Sequence, residues 1–256
     1  MAVSALVSAS GSPGVTTTSV GLAALWPRPA LLVEADPTGG SGILAGFLRG
    51  EVEPSGGLLD VVMTHRNGTL RLTPEQVMPL PGGQAQLLPG IRAHSQARSL
   101  ADVWEPLLHA LRRLSISTGQ DVIVDAGRLG LASWPEPLVR GADTTLLVTR
   151  SSLPALAAAR SWLETLRHDT PTLGVLVVGP GRPYSSGEVA KWLRVPVLGE
   201  IAWDPAAAAV LSDGAPRGRR FDRSGFARSL RATVDGLRAR TVAMDDVSAP
   251  EIVSLS

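Results

Sequence analysis

The sequence predicts an α/β fold: a three-layer, doubly wound and mostly parallel sheet with helices on both faces. Three observations predict it. Short apolar runs with little alternation recur along the chain, the pattern of strands covered on both sides. The stretches between them carry apolar residues at three- and four-residue spacing, the mark of helices with one buried face. The length of 256 residues, 44% of them hydrophobic, suits one such domain with a sizeable core.

The first run, Val3–Ser8, leads into Ser10-Gly11-Ser12-Pro13-Gly14-Val15-Thr16-Thr17-Thr18 and a helical Val20–Leu25. Ala30–Glu34 is the second strand. From about Arg49 to Ser99 the chain is rich in Gly and Pro and reads as loops, a short helix and one added strand, Gln86–Leu88. Leu100, Val103, Trp104, Leu107, Leu108, Leu111 and Leu114 form one apolar stripe on a helix. Strands follow at Asp121–Asp125, Thr144–Thr149, Leu173–Val178 and Val195–Ile201, and a helix opens at Ser151 or Ser152 as N-cap. Such alternation builds βαβ units, whose ligands bind beyond the carboxyl ends of the strands. One domain is expected over residues 1–240, with a polar, acidic, mobile tail at 241–256.

Composition removes several function classes. Cysteine is absent, which excludes disulfides, thiol nucleophiles and Cys-ligated metals. His65, His94, His109 and His168 have no metal-ligand spacing. A formal net charge of +1 argues against nucleic-acid binding by bulk charge, though not against a local basic patch. No run reaches the ~18 apolar residues of a membrane span. The apolar opening has no basic residue before Arg28, so it lacks the charged start of a signal peptide and points to the cytoplasm. Lys191 is the one lysine, against 23 arginines, as in a GC-rich bacterial source.

Strand ends carry the candidate chemistry. A Gly-bearing turn between a buried strand and a helix N-terminus presents backbone N–H groups to an anion, and Thr16 offers a hydroxyl to Mg²⁺. The same turn also reads as a tight strand–helix connection with Thr caps. Glu34-Ala35-Asp36-Pro37 ends strand two with carboxylates at i and i+2, on one face. Val122-Ile123-Val124-Asp125-Ala126-Gly127 ends another. Glu34, Asp36 and Asp125 together suit a hydrated Mg²⁺ and an oriented water, although each alone also suits a loop cap. A dinucleotide site is the weaker reading, because the loop is G-x-x-G and lacks the third glycine of G-x-G-x-x-G.

In these motifs the chain resembles the MinD/ParA family of deviant P-loop ATPases (the SIMIBI class), over nearly its whole length. Ser10–Thr17 is similar to the family's KGGxGKTT loop, and Glu34-Ala35-Asp36-Pro37 to its DxDP-like motif. Asp125-Ala126-Gly127 is similar to its metal-side Asp and switch. Gly57–Val61, Leu87–Gly90, Thr145–Thr149 and Val195–Asp204 fall where the family has corresponding segments. The resemblance implies ATP or ADP held by Gly11, Ser12, Gly14, Val15, Thr16 and Thr17. It implies Mg²⁺ at Thr16, Asp125 and Glu34, and Asp36 positioning water. Departures are as specific. The signature lysine that crosses a dimer falls on Ser10, the main phosphate lysine on Val15, and the adenine-contacting Asn on Gly179. Pro13 has no N–H to line the loop. Arg128, directly after the switch, is the candidate replacement cation, its bland reading a solvated loop arginine.

Eight arginines lie between Arg217 and Arg240, around a stripe of Phe226, Leu230, Val234 and Leu237. That reads as a final helix packed on the sheet with a cationic outer face, or as a surface for non-specific DNA contact. Two functions follow from the resemblance. One is a divergent positioning or assembly factor for cell division, chromosome partition, pilus or secretion machinery, a homodimer with a protein partner, recruited by it to a membrane or nucleoid. The other is a slow Mg-ATP-dependent switch. The missing loop lysines favour the first, since phosphoryl transfer depends on positioned positive charge.

Overall fold

Apolar runs pair into β1 (Val3–Ser8), β2 (Ala30–Glu34), β3 (Met78–Pro79), β4 (Ala85–Leu88), β5 (Asp121–Arg128), β6 (Thr144–Arg150), β7 (Leu173–Val178) and β8 (Val197–Ile201) in the computed structural model. It describes residues 2–68 and 70–248, with side chains through Arg240. The strands make one sheet in the order β3-β4-β2-β5-β1-β6-β7-β8, parallel except for β3 against β4. The helices are α1 (Val15–Ala24), α2 (Leu58–Arg66), α3 (Trp104–Thr118), α4 (Glu136–Arg140), α5 (Leu153–Leu166), α6 (Ser186–Leu193), α7 (Pro205–Ser212) and α8 (Gly225–Ser248).

Successive strand side chains leave opposite faces, and the two faces carry separate cores. Val3, Ala5, Val7, Val122 and Val124 pack with α2 through α6. Leu6, Leu32, Ile123, Leu146 and Leu198 pack with α1, α7 and α8. The three-layer arrangement expected from the sequence is therefore present. Phe226, Leu230, Val234 and Leu237 are all buried, so α8 packs on the sheet through its predicted stripe.

Several boundaries move for physical reasons. Gly14, at φ 97°, N-caps α1 in the left-handed region, so the helix begins at Val15, five residues before the expected start. β5 runs past Asp125 to Arg128 because Ala126 and Gly127 are still buried in the sheet. Leu100 and Val103 share the core of α3 but precede it. β3 was not expected; two residues ending in Pro79 give no periodicity to read. Helix α8 continues to Ser248, past the expected domain end at 240, while 249–256 lie outside the described residues.

At the N-terminal edge of the sheet, buried Asp121 ties three segments together. Its carboxylate accepts the Trp26 indole N–H at 2.8 Å, the Arg28 guanidinium at 2.6 Å and the Ala2 amide at 3.2 Å. Removing it strands buried donors, which costs more than the bonds are worth. Asp121→Ala should therefore lower unfolding stability by roughly 2–4 kcal/mol in urea titrations. A loss below about 0.5 kcal/mol would show that the clamp is dispensable.

Candidate functional site

β1 is the strand between β5 and β6, and the loop leaving it emerges at the C-terminal edge between their ends. Ser12 adopts φ 44° and Gly14 φ 97°, which turns the chain into α1 without a side-chain cap. The first intrahelical bond runs from the Thr18 N–H to the Gly14 carbonyl at 2.9 Å, so the N–H groups of Val15, Thr16 and Thr17 precede the ladder. A cavity of about 500 Å³ opens over them, lined also by Ser8, Gly11, Asp36, Thr38, Gly127 and Arg128. The Thr caps of the bland reading are absent.

Asp125 lies beneath this loop, with 0% of its surface exposed. Its Oδ1 accepts the Gly127 N–H at 3.2 Å, and its Oδ2, also buried, has no hydrogen-bond partner among the described residues. Burial pushes its pKa up to about 7, with the charges of Glu34 and Asp36 adding to the rise; the nearby Thr16 hydroxyl pulls the other way. An unpaired carboxylate oxygen beside a hydroxyl at a helix start fits a hydrated Mg²⁺ on a phosphate when ionised, and a buried protonated acid when no cation is bound.

Glu34, expected on the metal side, is held by hydrogen bonds from two loops. The Ser41 hydroxyl lies 2.7 Å from both of its carboxylate oxygens, and Oε2 also accepts the Gly90 N–H at 2.9 Å. Burial raises its pKa against these bonds. Glu34 thus anchors two loops, and no group of three or more acidic or histidine side chains converges on a metal position among the described residues. Asp36 faces the cavity, its Oδ1 held by the Thr38 N–H at 2.9 Å and hydroxyl at 2.8 Å. Gly127, at φ +64°, lies so close that a Cβ there would stand 2.3 Å from the Asp36 carboxyl carbon.

Val15 is 6% exposed and belongs to the core under α1, and Pro13 is buried. Lys191 lines a separate groove between α5 and α6. Arg128 lines the loop cavity and is exposed. A second arginine was missed: Arg150, the last residue of β6, donates from Nη2 to the Ser12 carbonyl at 3.1 Å. Its one local signal is its place at a strand end. Of the C-terminal arginines, Arg217 and Arg231 converge on Asp222 at 2.6 and 3.2 Å, and Arg219, Arg220, Arg223, Arg228 and Arg240 remain exposed.

No protein-family model matches the chain. It is 29% identical to two uncharacterized proteins of Mycobacterium tuberculosis, Rv3660c of strain H37Rv and MT3760 of strain CDC 1551, over 86% of this chain and 59% of each relative. It thus spans about three fifths of the length of the curated relatives it matches. Among solved structures, the cell division ATPase MinD of Pyrococcus furiosus superposes with a TM-score of 0.74 at 20% identity, over 94% of this chain and 100% of that one. MinD of Pyrococcus horikoshii, complexed with Mg-ADP, gives 0.73 at 18% identity over 96% and 99%. A ParA family ATPase of Chlorobium tepidum gives 0.69 at 18% identity over 92% and 98%. No helix among the described residues is long and apolar enough to cross a membrane. With its strand order, its bare strand–helix loop and its buried strand-end carboxylate, the chain has the fold of the MinD/ParA ATPases.

Proposed function

We propose that the chain binds a Mg-nucleotide at the β1–α1 loop and hydrolyses it slowly, acting as a positioning or assembly factor for a protein partner. The observation that carries this reading is the partnerless Oδ2 of fully buried Asp125, beside Thr16 and under uncapped helix amides. Holding an ionised carboxylate there costs stability, which a proton recovers below about pH 7 and a cation would recover above it. Backbone amides of Gly14 through Thr17 would bind the phosphates, Thr16 and Asp125 would hold Mg²⁺ through its ligand shell, and Asp36 would orient a water. The bound metal would supply charge neutralisation of the phosphates. With Val15 in the lysine's place, positive charge at the transferred phosphoryl group is reduced, which supports slow turnover.

Dimerisation belongs to the same reading, as does service to cell division, partition, pilus or secretion machinery. Calorimetric titration of the protein with ATP and ADP tests it. The expected result is micromolar binding that needs Mg²⁺ and is lost in Thr16→Ala. An absence of binding at millimolar nucleotide would leave the fold as a scaffold and end the nucleotide reading.

A further inference from the structure

The two strands that flank β1 each end in an arginine, Arg128 on β5 and Arg150 on β6. They stand on opposite sides of the loop, and Arg150 hydrogen-bonds to it through the Ser12 carbonyl. The guanidinium lies 5.1 Å from the centre of the Trp203 ring, which Arg182 approaches at 5.7 Å. A second cavity of about 300 Å³, on the other side of the loop from the one that Arg128 lines, runs between this stack and Ser12, Pro13, Gly14 and Thr17. Position is fixed from behind: the buried Ser151 hydroxyl lies 2.7 Å from the Gly179 carbonyl and 2.9 Å from that of Arg182, and accepts the Arg182 N–H at 3.1 Å. Among the described residues no carboxylate forms an ion pair with Arg150, although Asp204 and Asp213 line the same cavity.

We infer that Arg150 is the cation of this phosphate loop, supplied from a neighbouring strand in place of a loop lysine, and that its ligand is the polyphosphate of a nucleotide. The inference rests on the nucleotide reading above. A guanidinium carries five N–H donors in a planar fork, and one neutral carbonyl uses one of them. The rest match a phosphate, whose charged oxygens make stronger bonds than a carbonyl does. Trp203 holds the flat cation at the rim of the cavity, an arrangement that costs little to leave when an anion arrives. Val15, buried in the core, leaves the loop itself without a basic side chain.

Titration of Mg-ATP and of Mg-tripolyphosphate into wild type, Arg150→Gln, Arg150→Lys and Arg182→Gln tests this. Arg150→Gln should weaken both ligands about 10- to 100-fold. Arg150→Lys should recover part of the loss, and Arg182→Gln, which shares the Trp203 ring but not the loop, should bind as wild type. The slope of affinity against salt should also be shallower in Arg150→Gln. If wild type binds and Arg150→Gln binds equally well, the assignment is wrong while the nucleotide reading stands. A loss for ATP alone, or an equal loss in Arg182→Gln, would place Arg150 at the base or in a purely structural stack and overturn it. If wild type binds neither ligand, both readings fall together.

Discussion

Asp125→Asn is expected to stabilise the ligand-free protein at pH 8 by roughly 2–4 kcal/mol while abolishing Mg²⁺-dependent nucleotide binding. The sign follows from the direction of the shift. Burial raises the folded-state pKa to about 7, whereas the unfolded carboxyl titrates near its ordinary value of about 3.9. Between those two pH values the folded protein holds a proton that the unfolded chain has lost. Stability therefore falls as pH rises through that window and levels above it. Asparagine removes the charge and with it the fall, less whatever its own buried amide costs. Glu34, also raised by burial, contributes a decline to both proteins, so the wild type must fall more steeply than the variant. Urea unfolding at pH 5 and pH 8 measures the difference, and equal declines would sink the argument. A buried carboxylate that lowers stability at neutral pH is a feature typical of functional sites.

Gly127→Ala should cost roughly 2–4 kcal/mol and disorder the Asp36–Thr38 turn. Two effects add. At φ +64° an L side chain is strained by about 1 kcal/mol. The new methyl would also stand 2.4 and 2.7 Å from the Asp36 carboxylate oxygens, and backbone or side chain must move. A double-mutant cycle separates the two. Asp36→Ala removes the obstacle, so the pair Asp36→Ala/Gly127→Ala should be less destabilised than the sum by about 1–2 kcal/mol. Additive losses would show that the contact between strand two and the switch carries no energy. Nucleotide titration of Gly127→Ala then reads whether Asp36 must hold its place for binding or only for hydrolysis.

Much of the fold was legible because its strands are continuous apolar runs: Val3–Ser8, Ala30–Glu34 and Leu173–Val178 appear with the expected bounds. What failed was local chemistry overruled by neighbours. Thr16, Thr17 and Thr18 are poor helix formers, yet Gly14 in the left-handed region starts α1 over them. At the site, Asp125 and Thr16 are near each other as their strand-end and helix-start positions suggested. The hydrogen bonds of Glu34 were not legible, because carboxylates at i and i+2 say nothing of Ser41 and Gly90, which return to it from other loops. Arg150 is 138 residues from Ser12 in sequence, and only the order of strands in the sheet joins them.

That strand order has a consequence for the chain as it is made. β1 emerges before the other strands of the sheet, yet its two neighbours are the strands at 121–128 and 144–150. At roughly 5–20 residues per second, the partners of Val3, Val122 and beyond, follow by about 6–24 s. For that interval an apolar strand and the helix behind it have no sheet to join, and closure of so long a loop is slow. The loop between β1 and α1 is thus made well before the strands that enclose it, and until they arrive its apolar flanks are surface on which a nascent chain can aggregate.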